Sequence, residues 1–291
     1  MGGIKLDTKT IPKKIKGKRF SAAALIVIAT LSISGIFLCL GIADYMKLHN
    51  MQLTWDVILK IADDTDDMPD MELVDEDGSK LIVSNDDSDK EKDLLLRFIN
   101  FEGLKEVNPD VSGYIYIPNT KVDYPILKET VPNIFYYQTH NINKQSDVYG
   151  SIFELCDEQV GENSPVDWLF GHHMSSGEMF AEILKFENQD FVDTPVYIYR
   201  EDERTQYKVA AVCALNKNDM VYDFGAYDRS DKELYQALID HINANNEVTT
   251  DVELTTDTDI VILSTCKGRH GSSTRCIIVC VPYYTYRVAN D

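Results

Sequence analysis

Short apolar or alternating runs dominate the chain from residue 113 onward. Eight of these runs are rich in β-branched and aromatic residues, and turn residues separate several of them, which is typical of strands. They cover residues 113–117, 122–127, 150–155, 166–170, 195–200, 206–215, 260–265 and 275–283. Helical spacing appears twice within the series, at roughly 178–186 and 231–244. Many short strands with few helices predict a mostly β domain, either a closed barrel or a sandwich.

An uncharged run occupies residues 20–43, close to the N-terminus. A helix that rises about 1.5 Å per residue crosses a hydrocarbon core of roughly 30 Å over such a length. The preceding residues are rich in lysine, whereas Asp44 follows the run, so the positive-inside rule leaves residues 1–19 in the cytoplasm. We therefore expect a single-pass membrane anchor with an extracellular domain. A cleaved signal peptide and a buried core helix are the alternatives.

Acidic residues outnumber basic ones, 48 to 28, so the net charge is −20. This balance argues against a nucleic-acid-binding protein, which needs a basic face. Residues 63–93 are the most acidic stretch, and we interpret 44–87 as a stalk and a largely flexible acidic linker. Asp75, Asp77 and Gly78 resemble a calcium loop only faintly, because Leu73 and Ser84 stand where ligands are needed. Helical spacing resumes near Asp89 and leads into a domain over 88–291.

Cys266 follows an apolar strand and precedes the polar loop 267–271. The thiolate is the nucleophilic form of cysteine, and neighbouring positive charge lowers a thiol pKa from its reference value of about 8.5. A thiol at this position is therefore a candidate nucleophile. The alternative is a buried structural cysteine.

Two adjacent histidines, His172 and His173, follow the run at 166–170. One imidazole lies on each side of the backbone, so one of them can face a cleft and act as a general acid or base. Arg275 opens the last long strand, and its fork of donors suits a developing oxyanion. The alternatives are histidines with structural hydrogen bonds and a solvated strand-end arginine. Arg269, three residues after the cysteine, is a rival for the arginine role.

A zinc site formed by Cys266, His270, Cys276 and Cys280 is the competing interpretation. The spacing lacks the short knuckle of zinc fingers. Two positions four apart on a strand are also separated by about 13 Å. We therefore expect no metal ion here.

The order of these motifs resembles the sortase family. Residues 263–266 (Leu-Ser-Thr-Cys), followed nine positions later by Arg275, are similar to the sortase signature, and Gly171-His172 is similar to its histidine motif. The segments 108–118, 122–126 and 150–153 add to the resemblance, which covers roughly 88–286. The helix at 231–244 and Ser264 before Thr265 are similar to class B members.

The resemblance implies a closed eight-stranded β-barrel with a few peripheral helices. It implies catalysis by Cys266, His172 and Arg275, substrate binding by Ser264 and Thr265, and no cofactor. The implied partners are surface proteins with a C-terminal sorting signal, of the Asn-Pro-x-Thr type in class B, and an amine from a peptidoglycan crossbridge, lipid II or a pilin lysine. The implied location of the catalytic domain is the outer face of a Gram-positive membrane. A surface cysteine peptidase and a non-catalytic membrane-tethered binding module remain alternatives.

Overall fold

The computed structural model describes residues 94–268 and 272–289, together with 54–65, 71–75, 77–83 and parts of 33–46. The chain divides into two units, Met1–Asp56 and Val57–Asp291. In the first unit the described residues of 33–46 are helical. The expected anchor at 20–43 lies mainly outside the described residues. Within the described part of the chain, no helix combines the length and the apolar character that crossing a bilayer requires.

Ten strands form the sheet of the second unit. They are β1 Met71–Val74, β2 Lys80–Val83, β3 Val111–Tyr116, β4 Asp123–Lys128, β5 Ile152–Glu154, β6 Val166–Phe170, β7 Val196–Tyr199, β8 Glu203–Asn216, β9 Ile260–Cys266 and β10 Thr274–Val288. Eight of them run in the order β10-β8-β7-β3-β4-β5-β6-β9, and β9 pairs again with β10. This last pairing closes an eight-stranded barrel, so the eight strands predicted from the sequence are confirmed.

The helices of the second unit are short apart from one. They are α1 at residues 54–63, whose first three residues belong to the first unit, α2 Phe101–Val107, α3 Asp157–Val160 and α4 Lys232–Ala244. Turns of 3-10 helix cover Leu94–Leu96, Tyr136–Gln138, Ala181–Glu187, Gln189–Phe191 and Met220–Tyr222. The helix predicted near 178–186 is therefore a 3-10 helix. Within the described residues, the helix expected to lead into the domain from about residue 89 is interrupted: a 3-10 turn covers Leu94–Leu96, and Asn100 caps the separate helix α2 by accepting from the Gly103 amide.

Helix α4 packs on one face of β6, β8, β9 and β10. Its buried side chains, among them Leu238 and Ile242, join a core with Trp168 of β6, Ile262 of β9 and Ile277 of β10. The indole of Trp168 also donates to the carbonyl oxygen of residue 221 at 3.1 Å. These contacts fix the segment between β8 and α4 against the end of the barrel where β9 finishes.

The acidic stretch contains a β-hairpin. β1 pairs with β2, and Leu73 of β1 lies opposite Val288 of β10, which ties the stretch to the end of the chain. Leu73, Val83 and Phe98 form a small separate core. The expectation of a largely flexible linker is therefore wrong for 71–75 and 77–83. Asp75 accepts from the Ser79 amide at 2.7 Å, so the weak calcium-loop pattern belongs to the hairpin turn.

Candidate active site

Cys266 and Arg275 are direct neighbours on adjacent strands. Cys266 ends β9, Arg275 is the second residue of β10, and the antiparallel register places them opposite each other. Opposite residues project to the same face, with Cβ atoms about 4.5–5.5 Å apart. The pairing continues one step further, where the Lys267 amide donates to the Thr274 carbonyl at 2.9 Å. Strand register therefore holds the thiol and the guanidinium on one face.

The segment after β6 brings His172 to the end of β9. The Gly171 amide donates to the Ser264 carbonyl at 3.2 Å, and the Thr265 hydroxyl donates to the Gly171 carbonyl at 2.8 Å. A Cβ added at Gly171 would lie 2.7 Å from the ring of Phe180 and closer still to a side chain of β5. Only glycine fits this close approach, which explains why the histidine motif begins with it.

The two adjacent histidines have different surroundings. His172 lies in the same pocket as Cys266 and Arg275, and its Nε2 is 2.7 Å from the backbone oxygen of Gln138. A carbonyl only accepts, so Nε2 carries a proton and Nδ1 is left for proton exchange. His173 instead places Nδ1 2.9 Å from the backbone oxygen of Cys266. This divergence agrees with the predicted alternation, and His172 is the one that faces the groove.

A buried polar network holds the loop that carries Gln138. The carboxylate of Glu129, only 3% exposed, accepts from the Tyr137 amide at 2.9 Å. Burial raises the pKa of Glu129. The Tyr137 hydroxyl donates to Asp110 and accepts from the side chain of Asn108 at 2.9 Å. Hydrogen bonds of buried side chains thus hold the loop whose Gln138 carbonyl orients His172.

The guanidinium of Arg275 is oriented by the backbone of its own turn. Nη1 donates to the carbonyl oxygens of Ser272 at 2.7 Å and Thr274 at 3.3 Å. No carboxylate of the described residues forms an ion pair with it, so Nε and Nη2 are left for a ligand. The rival Arg269 lies outside the described residues.

Aromatic side chains form the walls of the groove. They come from four separate parts of the chain and are Phe135, Phe153, Phe170, Tyr222 and Phe224. Tyr222 lies 2.9 Å, oxygen to oxygen, from the hydroxyl of Ser264, and burial raises the pKa of Tyr222 to about 12. Tyr222 is therefore a neutral hydroxyl at neutral pH. The walls are apolar, so they favour an extended peptide over bulk water next to the thiol.

Ser264 and Thr265 are each only 2% exposed, and their hydroxyls already bond to Tyr222 and Gly171. Their substrate-binding role remains a prediction. Sequence reasoning missed Gln138, Tyr222 and Lys217, which also line the groove. Gln138 and Tyr222 each end a short 3-10 turn and Lys217 follows the end of β8, so no strand or helix pattern in the sequence distinguishes them.

The other described cysteines are buried. Cys276 and Cys280 lie on β10, and burial raises the pKa of both thiols, as it raises that of Cys213 to about 12. No group of three or more His, Cys, Asp or Glu side chains within the described ranges is arranged to hold a metal ion. His270 of the weighed zinc set lies outside them.

A closed β-barrel that brings a cysteine, a histidine and an arginine to one groove defines a cysteine transpeptidase of the sortase type. Residues 115–283 match the family model of the Sortase domain, and the chain belongs to the sortase family.

Its relatives place it in class B. It is 24% identical over 179 residues to sortase B of Staphylococcus aureus (strain NCTC 8325 / PS 47), covering 62% of this chain and 72% of the relative. It is 26% identical over 206 residues to sortase B of Listeria monocytogenes serovar 1/2a, and the match covers 67% of this chain and 81% of that relative. The structure of Clostridium perfringens sortase B matches with a TM-score of 0.56 and 26% identity, covering 62% of this chain and 98% of the other.

Proposed function

We propose that this protein is a membrane-anchored class B sortase that cleaves a C-terminal sorting signal after threonine. It then transfers the cleaved protein to an amine of the cell-wall peptidoglycan or to a pilin lysine. The observation that carries the proposal is the pairing of Cys266 with Arg275 across β9 and β10, with His172 in the same groove.

The first step forms a thioacyl enzyme. The Cys266 thiolate attacks the carbonyl carbon of the threonine, and a C–S bond forms while the carbonyl oxygen becomes an oxyanion. The unpaired N–H groups of Arg275 donate to that oxygen. Collapse of the tetrahedral intermediate breaks the C–N bond, and protonated His172 gives its Nδ1 proton to the departing amine.

The second step resolves the thioester. An incoming amine attacks the same carbonyl carbon, and neutral His172 accepts its proton at Nδ1. The new C–N bond forms and the C–S bond breaks, which regenerates the thiolate. Water in place of the amine would make the same site a peptidase, so the acceptor decides between the two activities.

Two similar structures indicate the substrate classes. One neighbour is a Staphylococcus aureus sortase B–substrate complex with a TM-score of 0.56, and another is sortase B complexed with Gly3. By analogy we infer a peptide sorting signal, of the Asn-Pro-x-Thr type, and a short amine-terminated acceptor for this chain.

The membrane anchor is supported by the uncharged run at 20–43 and its basic N-terminal flank. We infer that the catalytic domain lies outside the cell and the N-terminus in the cytoplasm. Externally added protease should digest the domain in intact cells, and deletion of 20–43 should release the protein from the membrane fraction. Digestion only after cell lysis would contradict this orientation.

Mass spectrometry of reaction products tests the activity. The full chain is incubated with peptides that carry threonine before the scissile bond, with and without an amine acceptor. We expect a ligated product that requires the acceptor, and no cleavage by Cys266→Ala, which should keep its fold. Cleavage without ligation would favour the peptidase. If Cys266 is also slow to react with an alkylating reagent, absence of any cleavage would favour the binding module.

A further inference from the structure

The groove has a charge opposite to that of the chain. The protein carries a net charge of −20, yet no aspartate or glutamate is among the described residues that line the groove. Its basic lining residues are His172, Lys217 and Arg275. Two of them have roles in the reaction described above, and Lys217 has none.

Lys217 is positioned by the same strands as the catalytic pair. Leu215 of β8 lies opposite Arg275 of β10, which lies opposite Cys266 of β9. Lys217 comes two residues after Leu215, and its amide donates to the Ser273 carbonyl at 2.7 Å. This hydrogen bond continues the β8–β10 pairing one residue past Asn216, into the turn that follows β8. The lysine therefore stands at the groove, beside Arg275.

Nearby carboxylates are occupied elsewhere. Asp219 accepts from the Val221 amide at 3.1 Å and lies 2.8 Å from Nε2 of His241. Two glutamates near the end of β9 pair with Lys267 instead, at 3.2 and 3.4 Å. Lys217 forms no ion pair with any carboxylate in the part of the chain that the structure describes. Its exposed ammonium group is therefore available to a ligand.

We propose that Lys217 is a specificity-determining residue that binds a carboxylate on the substrate, close to the bond that is made or broken. The assignment rests on the proposed function, because it names the chemistry of a substrate for the same groove. The carboxylate has two possible sources. It belongs to the amine acceptor, near the attacking nitrogen, or to an acidic side chain of the sorting peptide next to the threonine.

The test compares matched pairs of substrates with the full chain. The acceptor pairs are glycine peptides of one to three residues, each as the free carboxylate and as the carboxamide. The peptide pair carries glutamate or glutamine immediately before the threonine. The preference is the ratio of kcat/KM for the charged member to that for the neutral member. Each ratio is measured for the wild type, Lys217→Met and Lys217→Arg. Lys232→Met is the control, because it removes the same charge from an exposed site on α4.

We expect one arm to show a preference of about fivefold for the carboxylate, the size of a partly exposed ion pair. The preference should fall to about one in Lys217→Met and persist in Lys217→Arg and Lys232→Met. Turnover of the neutral substrates should stay unchanged in Lys232→Met. The arm that responds identifies the source of the carboxylate.

Three results would overturn the assignment. A wild type that forms the thioacyl enzyme without any carboxylate preference overturns it and leaves the proposed function intact. So does a Lys217→Met variant that keeps the preference but shifts the pH dependence of Cys266 alkylation, because the lysine then serves the thiolate. Failure of the wild type to form a thioacyl enzyme with either peptide overturns the proposed function, and this assignment with it.

Discussion

Cys266 and Arg275 stand opposite each other across β9 and β10, so one strand register sets the proposed nucleophile beside its proposed oxyanion donor. The histidine is held differently, by a loop after β6 that Gly171 docks onto β9 and that the Gln138 carbonyl restrains. Electrostatic stabilisation of a transition state requires donors that are already in place. The barrel supplies this order through backbone pairing, while the groove walls combine strand residues such as Phe153 and Phe170 with residues of the connecting segments.

Arg275→Lys should lose most of the activity although it keeps the charge. One Nη of the arginine is already committed to the carbonyl oxygens of Ser272 and Thr274, while the remaining donors face the groove. A single ammonium group cannot serve both. Loss of an oxyanion donor costs about 3–4 kcal/mol in the transition state, several hundredfold in kcat/KM. Steady-state kinetics on one sorting peptide measures the effect. Near-normal turnover would show that the several donors of the guanidinium are not required.

His172→Ala should cost far more activity than His173→Ala. Loss of a general acid–base is worth about 10²–10⁴ in rate, and only His172 faces the groove. His173 bonds to the backbone oxygen of Cys266, so its loss should slow the reaction moderately by loosening the strand end. Single-turnover acylation rates for the two variants decide the matter. Equal losses, or a larger loss at His173, would reassign the catalytic role.

The barrel was predictable from the sequence because its strands carry β-branched and aromatic side chains between clear turns. The hairpin at β1 and β2 was not, since its two short apolar runs, Met71–Val74 and Lys80–Val83, lie within a stretch dominated by aspartates and glutamates. Leu73 and Val83 become buried only through Phe98 and the far end of β10, a contact between distant parts of the chain. The composition of the hairpin segment alone does not predict its pairing with a strand that is distant in the sequence.

Part of the candidate site was predictable: position at strand ends made Cys266 and the histidine pair candidates, and the family resemblance selected His172. The structure brings Cys266 and His172 to one groove, and their catalytic roles stay a prediction. The role of Gln138 was not predictable, because its backbone oxygen accepts the hydrogen bond from His172 and a residue of any type would supply that atom. Tyr222 and Lys217 reach the groove from the segment after β8, which α4 fixes through a nonlocal core.

The pair formed by Asp110 and Lys144 should give the loop under Gln138 a pH-dependent stability. Burial works to raise the pKa of Asp110, but hydrogen bonds from Lys144 and Tyr137 outweigh it, so the pKa lies below its ordinary value of 3.8. A lowered carboxyl pKa stabilises the fold above the unfolded-state pKa, and the contribution is lost as the pH falls through the folded-state value. Asp110→Asn should therefore cost about 1 kcal/mol at neutral pH and progressively less below pH 4.

Urea unfolding at a series of pH values measures this difference, and a double-mutant cycle with Lys144→Met isolates the ion pair, whose atoms are 2.8 Å apart. A difference that does not change with pH would show that the two groups are not coupled.

Arg204→Met should make the protein more stable. Arg204 of β8 is 2% exposed, and its Nε and Nη1 have no hydrogen-bond partner among the described residues. Burial lowers the pKa of its guanidinium to about 10, which shows that the charged form is disfavoured in the fold. Replacing a poorly compensated buried charge by an apolar side chain of similar length should raise the free energy of unfolding by about 1–3 kcal/mol.

Arg97 provides the matched control, because it is also largely buried but bonds to Asp63 and Asp123 at 2.8 Å each. Arg97→Met should lower the free energy of unfolding by roughly 3 kcal/mol, since two carboxylates lose their partner. Denaturant unfolding of the wild type and both variants at pH 7 gives the comparison. The penalty on Arg204 applies while the group is charged, so the advantage of the methionine should shrink as the pH rises past about 10. Destabilisation by both substitutions would show that Arg204 has a stabilising partner in the folded protein.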